Sequence, residues 1–299
     1  MRIVKLKGGV GNQMFQYSFA KLLEHVTGDE VKLDMSTYAD RINDLIRQPR
    51  IFKMNISLKV ASDKDIRKLC LFKHEKEIFS KRYRTGIAAE AILNPNYYFE
   101  RDRGYRDIQK IKRNKFFDGY WQSWKNVDEI WDSLKNDFAP NYQMDSSTYR
   151  MIEQVNSENS VFIGVRKGDY TKRVGHFGFF GQDYFQRAIE KIELSVENPV
   201  YYIFSNDIAW VKDNIDFGHR EIRYREQENV VDDFEDLMIM AHCKHSIILN
   251  STYHWWGARL FEYPGKVIVA PRNWFFDGKP IDIIPPRWIQ IDSVKNHQV

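Results

Sequence analysis

Val161-Phe162-Ile163-Gly164-Val165, running directly into Arg166-Lys167-Gly168-Asp169, decides how this chain is read. A short apolar run that stops at a charged, glycine-containing turn is the pattern of a buried strand. Three later segments repeat it. Val200-Tyr201-Tyr202-Ile203-Phe204 stops at Ser205-Asn206-Asp207, and Ile247-Ile248-Leu249 stops at Asn250-Ser251-Thr252. Val267-Ile268-Val269-Ala270 stops at Pro271-Arg272-Asn273. Helical patterns lie between them, over 183–194, 207–214, 233–244 and 254–262. Strands alternating with helices predict an α/β fold with a parallel sheet. Ligands of such sheets collect at the carboxyl ends of the strands.

The same grammar opens the chain. Ile3-Val4-Lys5-Leu6 reads as a strand, broken by Gly8-Gly9-Val10-Gly11. Phe15, Phe19, Leu22, Leu23 and Val26 then line one face of a helix, and Gly28 stands where a C-terminal cap belongs. Val31-Lys32-Leu33-Asp34 predicts a second strand, and Phe116-Phe117-Asp118-Gly119-Tyr120-Trp121 a later one, followed by a helix through Ile130, Trp131 and Leu134. Residues 40–115 carry few sharp signals. The polar segment 140–160 predicts a junction, giving domains 1–150 and 151–299.

Composition bounds the partners. The 299 residues suit two domains, and 45 Lys+Arg against 41 Asp+Glu leave a net charge of only +4. No basic stripe with interleaved aromatics points to nucleic acid. No stretch approaches the ~20 apolar residues of a membrane span, although peripheral contact with a membrane is compatible with the sequence. Cys70 and Cys243 lie far apart, so a reduced, cytoplasmic protein is expected. The eight histidines show no paired ligand spacing, and Asp63-Lys64-Asp65 reads as the acidic start of a helix, so no metal site is expected.

Four places have the residue types for chemistry. Gly9, Gly11, Asn12 and Gln13 follow the first strand and allow close ligand approach at a helix start, although Met14 stands where a dinucleotide fingerprint has its third glycine. A plain strand-to-helix turn explains them as well. Arg166, with Lys167 beside it, offers a planar fork to phosphate oxygens, and Asp169 can accept a hydroxyl proton. A local Arg–Asp pair is the plainer alternative. Asn250, Ser251 and Thr252 open a helix, which suits either an anion or simple capping. Asp236 suits a helix dipole, and equally the two N–H donors of guanine.

Taken together these segments resemble the alpha-1,2-fucosyltransferases of glycosyltransferase family 11. The resemblance runs through Gly8-Gly9-Val10-Gly11-Asn12-Gln13-Met14-Phe15-Gln16-Tyr17, Asp118-Gly119-Tyr120-Trp121-Gln122-Ser123 and Val165-Arg166-Lys167-Gly168-Asp169-Tyr170. It continues through Phe204-Ser205-Asn206-Asp207, Asn250-Ser251-Thr252-Tyr253-His254-Trp255-Trp256-Gly257-Ala258 and Ala270-Pro271-Arg272-Asn273-Trp274-Phe275. Residues 35–115 match poorly. One departure stands out: the family usually has histidine where this chain has Gly164.

The resemblance implies a GT-B architecture, two Rossmann-like domains with the active site in the cleft between them. The N-terminal domain would serve the acceptor and the C-terminal domain GDP-fucose. It implies inverting, metal-independent transfer of L-fucose from GDP-fucose to O2 of a terminal galactose. On that basis Arg166 holds the beta-phosphate, Asp236 reads guanine, Ser251 and Thr252 contact the diphosphate-fucose, and Asn12 and Gln13 face the cleft. Lys167, Ser205, Asp207 and Asn250 complete the expected binding set. Asp169 is the expected general base, with His176, near a point where the family carries a histidine, as second choice. A bacterial cytoplasmic enzyme building a surface polysaccharide such as O-antigen follows, possible at the inner face of the membrane. Rival readings are a GDP-sugar transferase of the same clan with another linkage, and a carbohydrate-binding module.

Overall fold

The computed structural model describes residues 1–38, 49–71, 81–102, 104–166, 180–226, 233–276 and 281–293. The chain forms two units, Met1–Tyr142 with Pro280–Ile283, and Gln143–Lys279 with Ile284–Val299.

The first unit is built on strands β1 (Arg2–Lys5), β2 (Val31–Asp34), β3 (Lys59–Val60), β4 (Tyr97–Phe99) and β5 (Phe116–Asp118). They form one sheet in the order β3-β2-β1-β5-β4, and every pairing is parallel. Helix α1 (Val10–Thr27) ends where Gly28 takes a φ of 66°, the left-handed cap that glycine reaches without strain. Phe15, Phe19, Leu22 and Leu23 are buried, as the helical spacing predicts. The weakly legible stretch holds β3, β4 and helices α2 (Asp63–Leu69) and α3 (Lys81–Leu93). Asp65 closes a capping box with Ser62, so this acid cluster does begin a helix. Helices α4 (Ile108–Ile111), α5 (Trp124–Asp128) and α6 (Trp131–Asp137) complete the unit.

The second unit begins with α7 (Ser146–Ser157) and continues β6 (Ser160–Val165), α8 (Gln182–Glu193), β7 (Val200–Ser205), α9 (Ile208–Asn214) and β8 (Glu221–Tyr224). It closes with α10 (Asp233–His242), β9 (His245–Ile247), α11 (Thr252–Arg259), β10 (Ile268–Pro271) and β11 (Ile289–Ile291). The sheet order is β11-β10-β9-β6-β7-β8, again wholly parallel. Read from β8, this is the 3-2-1-4-5-6 order of the doubly wound nucleotide-binding sheets. Tyr184, Phe185, Ala188, Ile189 and Ile192 form the buried face of α8 and pack with Val161, Ile163, Tyr201 and Ile203 of the central strands. Burying each of the larger apolar side chains among them stabilises the fold by about 1.5–3 kcal/mol.

The break falls between Tyr142 and Gln143 rather than at 150, because the polar segment is not a linker. Asp145 caps α7 by accepting from the Ser147 N–H at 2.7 Å. Thr148, Ile152 and Val155 turn inward, and Thr148 Oγ1 donates to Glu235 of α10 at 2.5 Å. Three inward residues among exposed polar ones left too faint a stripe to read as a helix.

Candidate functional site

The second sheet carries most of the expected site on one edge. β6 pairs with β7 as far as Val165↔Ser205, and β7 with β8 as far as Ile203↔Tyr224. Arg166, Ser205 and Arg225 therefore leave three adjacent strands at their carboxyl ends. β9 flanks β6 on its other side, with Ile163↔Ile247 in register. After β6 the chain winds outward through β7 and β8, then returns to β9 and winds the opposite way. The gap between β6 and β9 is thus the topological switch point, where the two connections diverge and leave a crevice. Arg166 borders it from one strand and Asn250-Ser251-Thr252 from the other.

The start of α11 is built for something other than its own cap. Ser251 is the N-cap residue, with an extended backbone, yet its side chain makes no capping hydrogen bond. Serine is among the best caps, so capping does not account for it. Asn250 is anchored by its Nδ2 donating to the Trp274 carbonyl at 2.9 Å. From α8, the buried Tyr184 hydroxyl donates to the Ile248 carbonyl at 2.6 Å and ties down the segment that enters this turn. Trp255 and Trp256 are fully buried and meet edge to face, ring centres 4.9 Å apart, so both are core residues.

Charges converge over the same turn. Asp236, one turn into α10, accepts from Arg225 Nε at 2.9 Å, and both side chains are largely buried. Burial pushes the Tyr253 phenol well above its ordinary range, and Asp236, Asp233, Arg166 and Arg225 all act on it electrostatically. The Tyr253 hydroxyl donates to the Asp233 carbonyl, which fastens α11 to the start of α10. Helix N-terminal N–H groups, with the dipole behind them, and guanidinium groups are the kinds of group that bind phosphates.

Other expected residues have local work. Asp207 accepts from the Trp210 N–H at 3.0 Å as the cap of α9, and Ser205 Oγ accepts from the Asp207 N–H at 3.0 Å. Lys167, Asp169 and His176 lie outside the described residues. Gly9, Gly11, Asn12 and Gln13 belong to the first unit. There Gly8 adopts a φ of 84°, the left-handed turn that lets the chain enter α1. Gln13 is fully buried, its Nε2 donating to the Gly8 carbonyl at 3.0 Å and its Oε1 accepting from the Ile51 N–H at 3.0 Å. It braces the loop rather than presenting a free amide. Asn12 Oδ1 accepts from Gln122 Nε2 at 2.7 Å, which joins two of the stretches that carried the resemblance.

In the first sheet β1 and β5 are neighbours, and an unforeseen charge cluster stands at their carboxyl ends. Lys7 Nζ bonds Asp118 Oδ1 at 2.5 Å, under the Tyr120 ring at 4.7 Å, and the Tyr97 hydroxyl donates to Asp118 Oδ2 at 2.8 Å. Burial works against both charges. The Lys7 and Lys5 cations nevertheless hold the Asp118 carboxyl below its usual range, while Asp118, Tyr120 and Glu100 raise Lys7. Glu100 accepts from the N–H groups of Tyr120 and Trp121 at 2.6 and 3.2 Å, fixing Trp121 at a φ of 56°, rare for a bulky residue. Sequence reading missed Lys7 and Glu100, and in the second unit Arg225, Tyr253 and His254. Arg225 was obscured because β8, Glu221-Ile222-Arg223-Tyr224, alternates charged and apolar residues over only four positions, too short a run to stand out.

Two Rossmann-like parallel units in tandem, the second with a basic switch point, are the α/β layout of the GT-B glycosyltransferases. Residues 1–292 match glycosyl transferase family 11, and the chain belongs to that family, a family of glycosyltransferases. Over 96% of its length it is 28% identical to the O-antigen biosynthesis glycosyltransferase WbnK of Escherichia coli, of which 99% is covered. It is 27% identical over 97% of its length to an alpha-1,2-colitosyltransferase of Escherichia coli, again with 99% of that protein covered. The gorilla galactoside alpha-(1,2)-fucosyltransferase 2 is 25% identical over 48% of this chain and 44% of its own length. Among the described residues no helix is long and apolar enough to cross a membrane.

Proposed function

We propose that this chain transfers L-fucose from GDP-β-L-fucose to O2 of a terminal galactose, with inversion, to give an alpha-1,2 linkage. The observation that carries the reading is the switch point between β6 and β9, bordered by Arg166 on one side and on the other by a helix start whose N-cap serine makes no capping bond. The guanidinium and the α11 backbone N–H groups grip the diphosphate, and Asp236, its carboxylate oriented by Arg225, reads guanine. Relatives named for alpha-1,2 transfer support the linkage.

In the reaction the galactose O2 attacks fucose C1 as the bond from C1 to the β-phosphate oxygen breaks. The hydroxyl proton passes to a carboxylate, for which Asp169 is the choice, and GDP departs with the electron pair. Negative charge grows on the diphosphate, so Arg166 binds the transition state more tightly than the ground state. No metal is required on this reading, and the natural product is a bacterial surface polysaccharide made on the cytoplasmic side.

The colitosyltransferase relative favours one second reading, the same linkage with GDP-colitose as donor. Incubation with GDP-fucose or GDP-colitose and a panel of galactosides, with and without chelator, tests all of this. The expected product is an alpha-1,2-fucosyl galactoside whose yield ignores the chelator. Transfer from GDP-colitose alone replaces the donor, a different linkage removes the acceptor assignment, and loss of product with chelator removes metal independence.

A further inference from the structure

His254 sits in the first turn of α11 and faces β6 across the switch point. It is 5% exposed, and its Nδ1 is buried with no hydrogen-bond partner among the described residues. A buried polar atom left alone is rare in a folded protein and calls for an explanation. Gly164 supplies part of one. A Cβ on Gly164 would come within 2.5 Å of His254 Cγ and Nδ1 and 2.7 Å of Cδ2. Near-equal distances to three ring atoms mean that the imidazole lies with its face on the strand. The Gly164 backbone is not left-handed, so glycine is needed there for room. Gly164 stands where the resemblance expects histidine, and in this chain an imidazole reaches that place from the facing helix.

The ring is also kept uncharged. Burial, then the nearby Arg166 charge, lowers its pKa to about 3. A neutral imidazole has one nitrogen that accepts a hydrogen bond. Its surroundings are the components already assigned to the diphosphate site: the Ser251 turn, Arg166 two residues beyond Gly164, and the N-terminus of α11.

Resting on the proposed GDP-sugar reading, we propose that His254 is a donor-binding residue, its ring seated on Gly164 and its Nδ1 accepting a hydrogen bond from a hydroxyl of the sugar nucleotide. The hydroxyl comes from either the ribose or the transferred sugar.

The test is titration calorimetry of GDP and of GDP-fucose against wild type, His254→Asn, His254→Phe and His254→Leu, with thermal melting of each. Asparagine keeps a polar atom near the Nδ1 position, whereas phenylalanine keeps the ring and loses the nitrogen. The expected result is affinity within about threefold of wild type for asparagine and a loss of about tenfold or more for phenylalanine, at comparable melting temperatures. Loss for both ligands assigns the ribose, and loss for GDP-fucose alone assigns the sugar. If phenylalanine prevents folding, leucine replaces it in the comparison. Wild-type affinity for both ligands in the folded apolar variant overturns the proposal. If the wild type binds GDP but not GDP-fucose, the donor assignment fails separately, and the same comparison is made with GDP-colitose.

Discussion

At the scale of the residue, geometry picks out the groups whose work is to hold the chain. Arg166 just past a strand end and Asp207 just past another looked alike in the sequence, but Asp207 is occupied as a helix cap. Arg166→Lys keeps the charge and loses the planar fork, and turnover is expected to fall by about 100-fold or more. Steady-state kinetics check this, and wild-type values remove Arg166 from the reaction. Asp236→Asn keeps the shape of the side chain but loses the charge that holds Arg225 and that, on the proposed reading, matches guanine. Calorimetry is expected to show GDP binding weakened by about tenfold. Unchanged affinity transfers guanine reading to another residue.

At the scale of the element, two helix starts give opposite expectations. Asp207→Ala removes a working cap from α9 and should cost about 1 kcal/mol in chemical denaturation, with little effect on GDP affinity. Ser251→Ala removes a hydroxyl that caps nothing, so stability should hold while the KM for the sugar nucleotide rises. A stability loss in Ser251→Ala without a change in KM reverses that assignment. Strands with continuous apolar runs, such as Val161–Val165, were legible because burial on both faces demands that composition. β8 and α7 were not, since an edge strand and a surface helix need only a partial apolar face, and charged residues fill the rest.

At the scale of the whole molecule, acid tolerance depends on a pair far along the chain from each other, Lys7 and Asp118. The depressed Asp118 contributes stability above its unfolded value of 3.8, lost as pH falls below it. The raised Lys7 contributes stability below its unfolded value of 10.5, lost as pH rises above that. Between those limits the pair is intact. Asp118→Asn leaves a buried cation without its carboxylate and should cost about 3–5 kcal/mol at neutral pH. Urea unfolding from pH 7 down to 3 checks this: the deficit against wild type should shrink below pH 3.8, and a deficit independent of pH denies the pair its role.

The sequence by itself determined the parallel α/β class, the polar strand tips and the family, because short apolar runs and the loops behind them are local properties. Only the tertiary structure decided which tips become neighbours. Strand order brings the loops that carry Arg166 and Ser251 to neighbouring strand ends, and a missing side chain at Gly164 makes room for a ring 90 positions away. Those relations depend on which strands pair across the sheet, and that pairing leaves no periodic trace along the chain.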